Sequence, residues 1–279
     1  MTVWEITEPR KLDLDGDVTT LDVSLFGGRL SVVGTDGPPR LEVSAIGERP
    51  LAVELKDGGL TVRQDHPSPW PGLLAPLWWW LRGRSAPGID VSVAVPDKTP
   101  AVLAMTSGPV VVSGLRGDLS VECTSGRVSL LGVGGRTRAS IVSGPIEALG
   151  CAGELNLDAV SGEITLADSA ARKLRASTVS GALTADLDNP PHDSEITLST
   201  VSGELTIRIR EDSDLTVQLV AAHGRVTSTF PGLSVEGRWG TAAHGVLGAG
   251  TGRLSADAMS GNIVLLRRPV DPDFEADPA

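Results

Sequence analysis

The sequence predicts an all-β fold, a single-stranded parallel β-solenoid with coils of about 18–22 residues and a less regular N-terminal β region. Three observations predict it. First, seven Ser-Gly pairs and one His-Gly recur in near-regular phase. They start at Ser107, Ser125, Ser143, Ser161, Ser180, Ser202, His223 and Ser260, at intervals of 18, 18, 18, 19, 22, 21 and 37 residues. A period of roughly 20 residues signals stacked units, each burying its apolar face against its neighbours. Second, apolar and polar residues alternate within each unit, as strands with one buried face do. Val128, Leu130, Val133, Ala139 and Ile141 follow Ser125-Gly126; Ile146, Ala148, Cys151, Leu155 and Leu157 follow Ser143-Gly144. Third, no helical stretch interrupts the strands, so equivalent strands of successive units pair most simply in parallel, about 4.8 Å apart.

The elements follow in order. Residues 1–100 read as an N-terminal β region continuous with the repeats. Gly28-Arg29-Leu30-Ser31-Val32-Val33-Gly34 repeats the phase of Gly126 to Gly132 and reads as an opening coil. Leu51 to Leu55 and Leu60 to Val62 flank Lys56-Asp57-Gly58-Gly59, a hairpin signal. An insertion, 66–88, precedes the alternating strand Ile89 to Val95. The repeat solenoid proper spans 101–267. Its structural turns are Gly108, Gly126, Gly144, Gly162, Gly181, Gly203 and Gly261, and a second turn is marked by Gly117, Gly135 and Gly153. After an irregular stretch at 231–248, Gly252 to Ala256 and Ser260 to Leu266 restore the repeat, and the interval of 37 reads as close to two periods. The acidic, Pro-containing tail, 268–279, is expected to be disordered.

Composition narrows the function. The chain has 33 Gly, 3% aromatics and no Tyr, which suits a narrow interior of small and β-branched residues better than a large enzyme cleft. A net charge of −11 argues against nucleic acid as a partner. Cys123 and Cys151 fall on inward positions in different columns and read as small buried hydrophobes, not as a disulfide or metal site. The first eleven residues hold no apolar signal core, and no run of 18 apolar residues occurs, so the expected compartment is the cytoplasm, with peripheral membrane association left open.

The repeated S-G-x-[VIL]-x-[VIL] phrases resemble the bacterial DUF4097 family, also called the putative adhesin domain. So do the apolar strand ending in Val95-Pro96 before the first Ser-Gly and Phe230-Pro231 ahead of a final coil. The likeness covers roughly Val18 to Leu266. It implies a β-strand-repeat protein with no established enzymatic activity; the Trp-rich insertion is a departure from the family pattern.

No catalytic constellation is visible, and no cofactor or metal is expected. Arg116-Gly117-Asp118 spells an adhesion tripeptide, but Gly117 holds a repeat turn and its neighbours read as solvated. Thr165, Thr184, Thr206 and Thr227 predict an outward Thr ladder, which strand propensity alone explains. Gly132 to Gly135 and Gly248 to Gly252 lack the strand–loop–helix context of a phosphate loop. His66, His192, His223 and His244 show no metal-ligand spacing. The feature that stands out is the insertion. It holds Trp70, Trp78, Trp79 and Trp80, four of the chain's six tryptophans, beside Arg82 and Arg84. It reads either as a docking surface for a protein or membrane or as a lid over an open end of the solenoid. The expected function is therefore a non-enzymatic scaffold or interaction protein. The alternative is a carbohydrate-binding or carbohydrate-active solenoid, which paired carboxylates on one face would mark. The second position of successive repeats, Pro109, Arg127, Pro145, Glu163, Ala182 and Glu204, does not stack acids in that way.

Overall fold

A computed structural model describes residues 2–14, 16–47, 49–64, 88–188, 193–237 and 240–269. These residues form strands and turns, with no helix among them. Each central coil supplies one strand to each of two parallel ladders. The first ladder runs through the N-terminal halves of β8 (Ala101–Ser113) and β9 (Leu119–Leu131), then β10 (Arg136–Ser143), β12 (Ala152–Ser161), the C-terminal half of β13 (Ile164–Ser180) and β15 (Glu195–Ser202). The second runs through the C-terminal halves of β8 and β9, then β11 (Ile146–Leu149), the N-terminal half of β13, β14 (Leu183–Leu187) and β16 (Leu205–Arg210). The sequence period is the ladder register: Ser107, Ser125, Ser143, Ser161, Ser180 and Ser202 are successive Cα partners.

Alternation does what the pattern predicts. Leu119, Val121 and Cys123 point into one hydrophobic core while Ser120 and Glu122 face outward. A third line of backbone bonds joins the turns opposite the ladders, with Gly134 N donating to Leu115 O at 2.8 Å and Ala152 N to Val133 O at 2.9 Å. Leu115, Val133 and Cys151 fill the interior behind it.

At the corner between the ladders the glycines stack. Gly126 has φ 144° and Gly144 φ 125°, a backbone region that L side chains rarely adopt. A Cβ at Gly108, Gly126, Gly144, Gly162, Gly181, Gly203 or Gly261 would also come closer than 3.0 Å to the carbonyl oxygen of the glycine on the neighbouring rung. The column extends to Gly28 beside Gly108 and to Gly224 beside Gly261.

Both ends depart from chain order. The opening coil, β3 (Thr20–Thr35), pairs in parallel with β8 on one side. On its other side it pairs with β6 (Gly59–Gln64) and β7 (Ile89–Pro96), so a later segment lies outside it. Antiparallel β5 (Leu51–Lys56) and β4 (Arg40–Ala45) then cover β6 and β7, and β1 (Thr2–Ile6) and β2 (Arg10–Asp13) cover those in turn. The β5–β6 hairpin turns on Asp57 (φ 50°) and Gly58 (φ 81°), the positive-φ pair that a two-residue loop requires.

At the C-terminal end, β21 (Gly252–Ser260) lies between β15 and β17 (Leu215–His223). Its continuation β22 (Ile263–Arg268) lies between β16 and β18 (Val226–Ser228). The last coil in the chain is therefore not the last in space. The 37-residue interval does not mark two periods along the stack: Ser260 is the direct partner of both Ser202 and His223. Antiparallel β20 (Ala242–Leu247) then closes β17, and β19 (Ser234–Glu236) closes β20. Antiparallel strands at both ends occupy edges that would otherwise template pairing with another chain.

Candidate binding face

Because the ladders are in register, each outward position of the repeat becomes a straight row. The outer row of the first ladder is self-neutralising. Arg136, Glu154, Lys173, Glu195 and Arg253 are successive partners of alternating sign. Asp118 meets Arg136 at 3.5 Å, Arg136 meets Glu154 at 3.6 Å, and Lys173 meets Glu195 at 3.3 Å. Opposite charges directly across strands are favourable, though at this exposure each pair contributes only about 0–1 kcal/mol.

The adjacent row reads Ser120, Arg138, Asn156, Arg175, Thr197, Ser255 and Gln218. Arg138 and Arg175 are exposed and have no ion pair among the described residues. Asn156 sits between them, and its Oδ1 is buried without a hydrogen-bond partner. These rows line a shallow groove of about 570 Å³. A third row, on the far side of the arginines, carries Glu122, Ser140, Asp158 and Ser177, with Ser177 donating a hydrogen bond to Asp158. Sequence reasoning missed the Arg138–Asn156–Arg175 row. The signal was present, since these residues hold one position of the repeat at intervals of 18 and 19.

The other candidates resolve differently. Trp70, Trp78, Trp79, Trp80, Arg82 and Arg84 lie outside the described residues, as do His66 and His192. The flanks of their segment are described and converge on one corner: Gln64 Oε1 accepts a hydrogen bond from Phe26 N at 3.0 Å, and Gly88 packs against Gly28. In the adhesion tripeptide both charges are engaged internally, Arg116 with Asp97 at 3.7 Å and Asp118 with Arg136. A Cβ on Gly117 would press on the Lys98 and Thr99 carbonyls, a packing reason for that glycine. The Thr ladder is real but shorter than expected. Thr165, Thr184 and Thr206 are successive partners, but Val264 of the inserted last coil separates Thr206 from Thr227.

His223 Nδ1 lies 3.3 Å from Met259 O, and His244 lies 3.7 Å from Glu236. No group of three potential metal ligands occurs among the described residues. Both cysteines are free and buried, and desolvation pushes both thiols above their usual pKa. On the second ladder Arg268 is ringed by Asp168, Asp186 and Asp188 at 3.5–3.8 Å, and Arg208 makes a two-pronged contact with Asp186. Among the described residues, no helix is long and apolar enough to cross a membrane.

The fold and these rows define a β-strand-repeat protein. No family model matches the chain, and no curated protein does. Its structure is similar to that of a putative adhesin from Bacteroides fragilis, at TM-score 0.50 and 12% identity, covering 96% of this chain and 97% of that one. A putative cell adhesion protein from Clostridium sporogenes aligns over 94% of this chain and 100% of its own length at 14% identity, with a TM-score of 0.29 that carries no argument about fold.

Proposed function

We propose that this chain is a non-enzymatic parallel β-solenoid scaffold that acts by binding at its surface. The observation that carries the reading is the register: outward positions are repeated rung by rung, so the fold presents straight rows of side chains, among them the polar row Ser120, Arg138, Asn156, Arg175 and Thr197. A surface of that kind suits an extended ligand better than a small substrate, which needs an enclosing pocket. The likeness in fold to a putative adhesin supports the same reading.

The tryptophan segment is the second element of the proposal. Its described flanks, Gln64 and Gly88, lie beside Phe26 and Gly28 of β3. Clustered aromatic residues dominate interface energetics. We expect Trp78→Ser, Trp79→Ser and Trp80→Ser together to abolish capture of a partner from native cells, or binding to anionic vesicles, with the β circular-dichroism signal and the melting temperature unchanged. A triple variant that melts well below the parent would assign the cluster to packing and remove docking from the proposal.

A further inference from the structure

We propose that the Arg138–Asn156–Arg175 row binds an extended polysaccharide carrying one carboxylate per disaccharide. The inference rests on the scaffold reading and names a ligand class for it. The charges around the row explain the choice. In the groove Asp22 is paired with Arg63 at 3.2 Å, Asp118 with Arg136, and Glu154 with Arg136 and Arg172 at 3.6 Å. Arg138 and Arg175 are exposed and have no ion pair among the described residues, in a chain whose net charge is −11. Guanidinium forks take carboxylates in a bidentate geometry.

The spacing selects the polymer. Arg138 and Arg175 are two rungs apart, about 10 Å. That is close to the repeat of two sugar rings in an extended chain. Asn156 occupies the rung between them and is half-buried, so the row carries an amide between the two guanidinium groups. Ser120 on one side and Thr197, Ser255 and Gln218 on the other continue the row with uncharged hydrogen-bonding groups. The neighbouring acids, Glu122 and Asp158, would repel a polymer charged on every side. They favour one that turns its carboxylates toward the arginines and its hydroxyls elsewhere. A nucleic acid, with a phosphate on every unit, meets too few free cations here.

The test is calorimetry of the full chain with hyaluronan oligosaccharides, which alternate a uronic acid with an uncharged amino sugar. The same oligosaccharides with the carboxyls reduced to alcohols, and poly-L-glutamate, serve as comparisons. We expect binding of the native oligosaccharides alone, weakened about tenfold or more by Arg138→Gln or Arg175→Gln. Asn156→Asp, which places an acid between the forks, should abolish it. Both arginines are exposed, so melting temperatures should hold. Absence of binding, equal binding of the reduced oligosaccharides or of polyglutamate, or indifference to the arginine substitutions overturns the proposal. Capture of a partner through the tryptophan segment would survive any of those results, so this inference and the scaffold reading fail separately.

Discussion

The coils between Ala101 and Arg210 and the coils at the two ends use the same repeat in opposite ways. In the middle, from β9 to β14, chain order is spatial order: each strand pairs with its equivalent one period earlier and one period later. At the ends, a later segment is placed outside or inside an earlier one, and antiparallel strands cover it. The middle needs only register, which a period supplies. The ends must stop the ladder, and stopping it takes strands that break the period. The two glycine edges differ in a related way. In the corner column a Cβ meets the next rung's carbonyl, whereas at Gly132, in a turn at the far end of the second-ladder strand, φ is 59° and nothing lies within 4 Å of a Cβ.

The largest effect should come from the C-terminal end. Removing 252–269 strips β15 and β16 of their partners on one side and leaves β17 and β18 without the coil they rest on. We expect the cooperative β melting transition to be lost or moved down by tens of degrees, since an isolated repeat buries too little to stand alone. Next comes the corner. Gly144→Val should cost more than about 4 kcal/mol in denaturant unfolding, from a clash with backbone that cannot move aside added to an unfavourable φ. Gly132→Ala, strained in φ alone, should cost about 1–2 kcal/mol. Ser143→Ala, beside the corner but exposed, should stay within about 0.5 kcal/mol. Similar values for Gly144→Val and Gly132→Ala would break the distinction between the two edges.

A smaller effect concerns the thiols. Burial raises the pKa of Cys123 and Cys151 in the folded protein, so it holds them protonated where the unfolded chain would ionise. Their contribution to stability is complete below the unfolded thiol value and declines as pH rises through and beyond it. Stability measured between pH 8 and pH 10 should fall by less when both are replaced by Ala. Native protein should react slowly with a thiol reagent and denatured protein should show two free thiols. The smallest effect belongs to the charge row: Glu154→Gln should change stability by less than about 1 kcal/mol, and less again at high salt.

Much of this was legible in the sequence. The Ser-Gly phase is the ladder register, the alternation of Leu119 to Cys123 is the inside–outside pattern, and Lys56 to Gly59 is the turn it looked like. Coil order was not legible. A period states which residues can stack and not which neighbour each takes, because pairing is non-local and any coil of matching register fits beside any other. Ser260 matches Ser202 as well as His223 does. The one hint was His223 itself, the one departure from Ser among the eight repeat starts, which stands beside Ser260. The arginine row escaped because each of its residues is ordinary alone; Arg138, Asn156 and Arg175 stand out only when register places them in line.

The central claim is that the last coil sits between its two predecessors, and a pair of crosslinks tests it most directly. Ser199 and Asp257 are outward-facing ladder partners, and Asp257 is in turn the partner of Val220. Partners on adjacent strands lie about 4.8 Å apart, within disulfide reach, whereas positions two rungs apart lie at about 10 Å, beyond it. The double variant Ser199→Cys with Asp257→Cys should oxidise to an intramolecular disulfide, and Ser199→Cys with Val220→Cys should remain reduced. A disulfide in the second variant and none in the first would mean that the coils stack in chain order, and would contradict the interleaved arrangement of the C-terminal end.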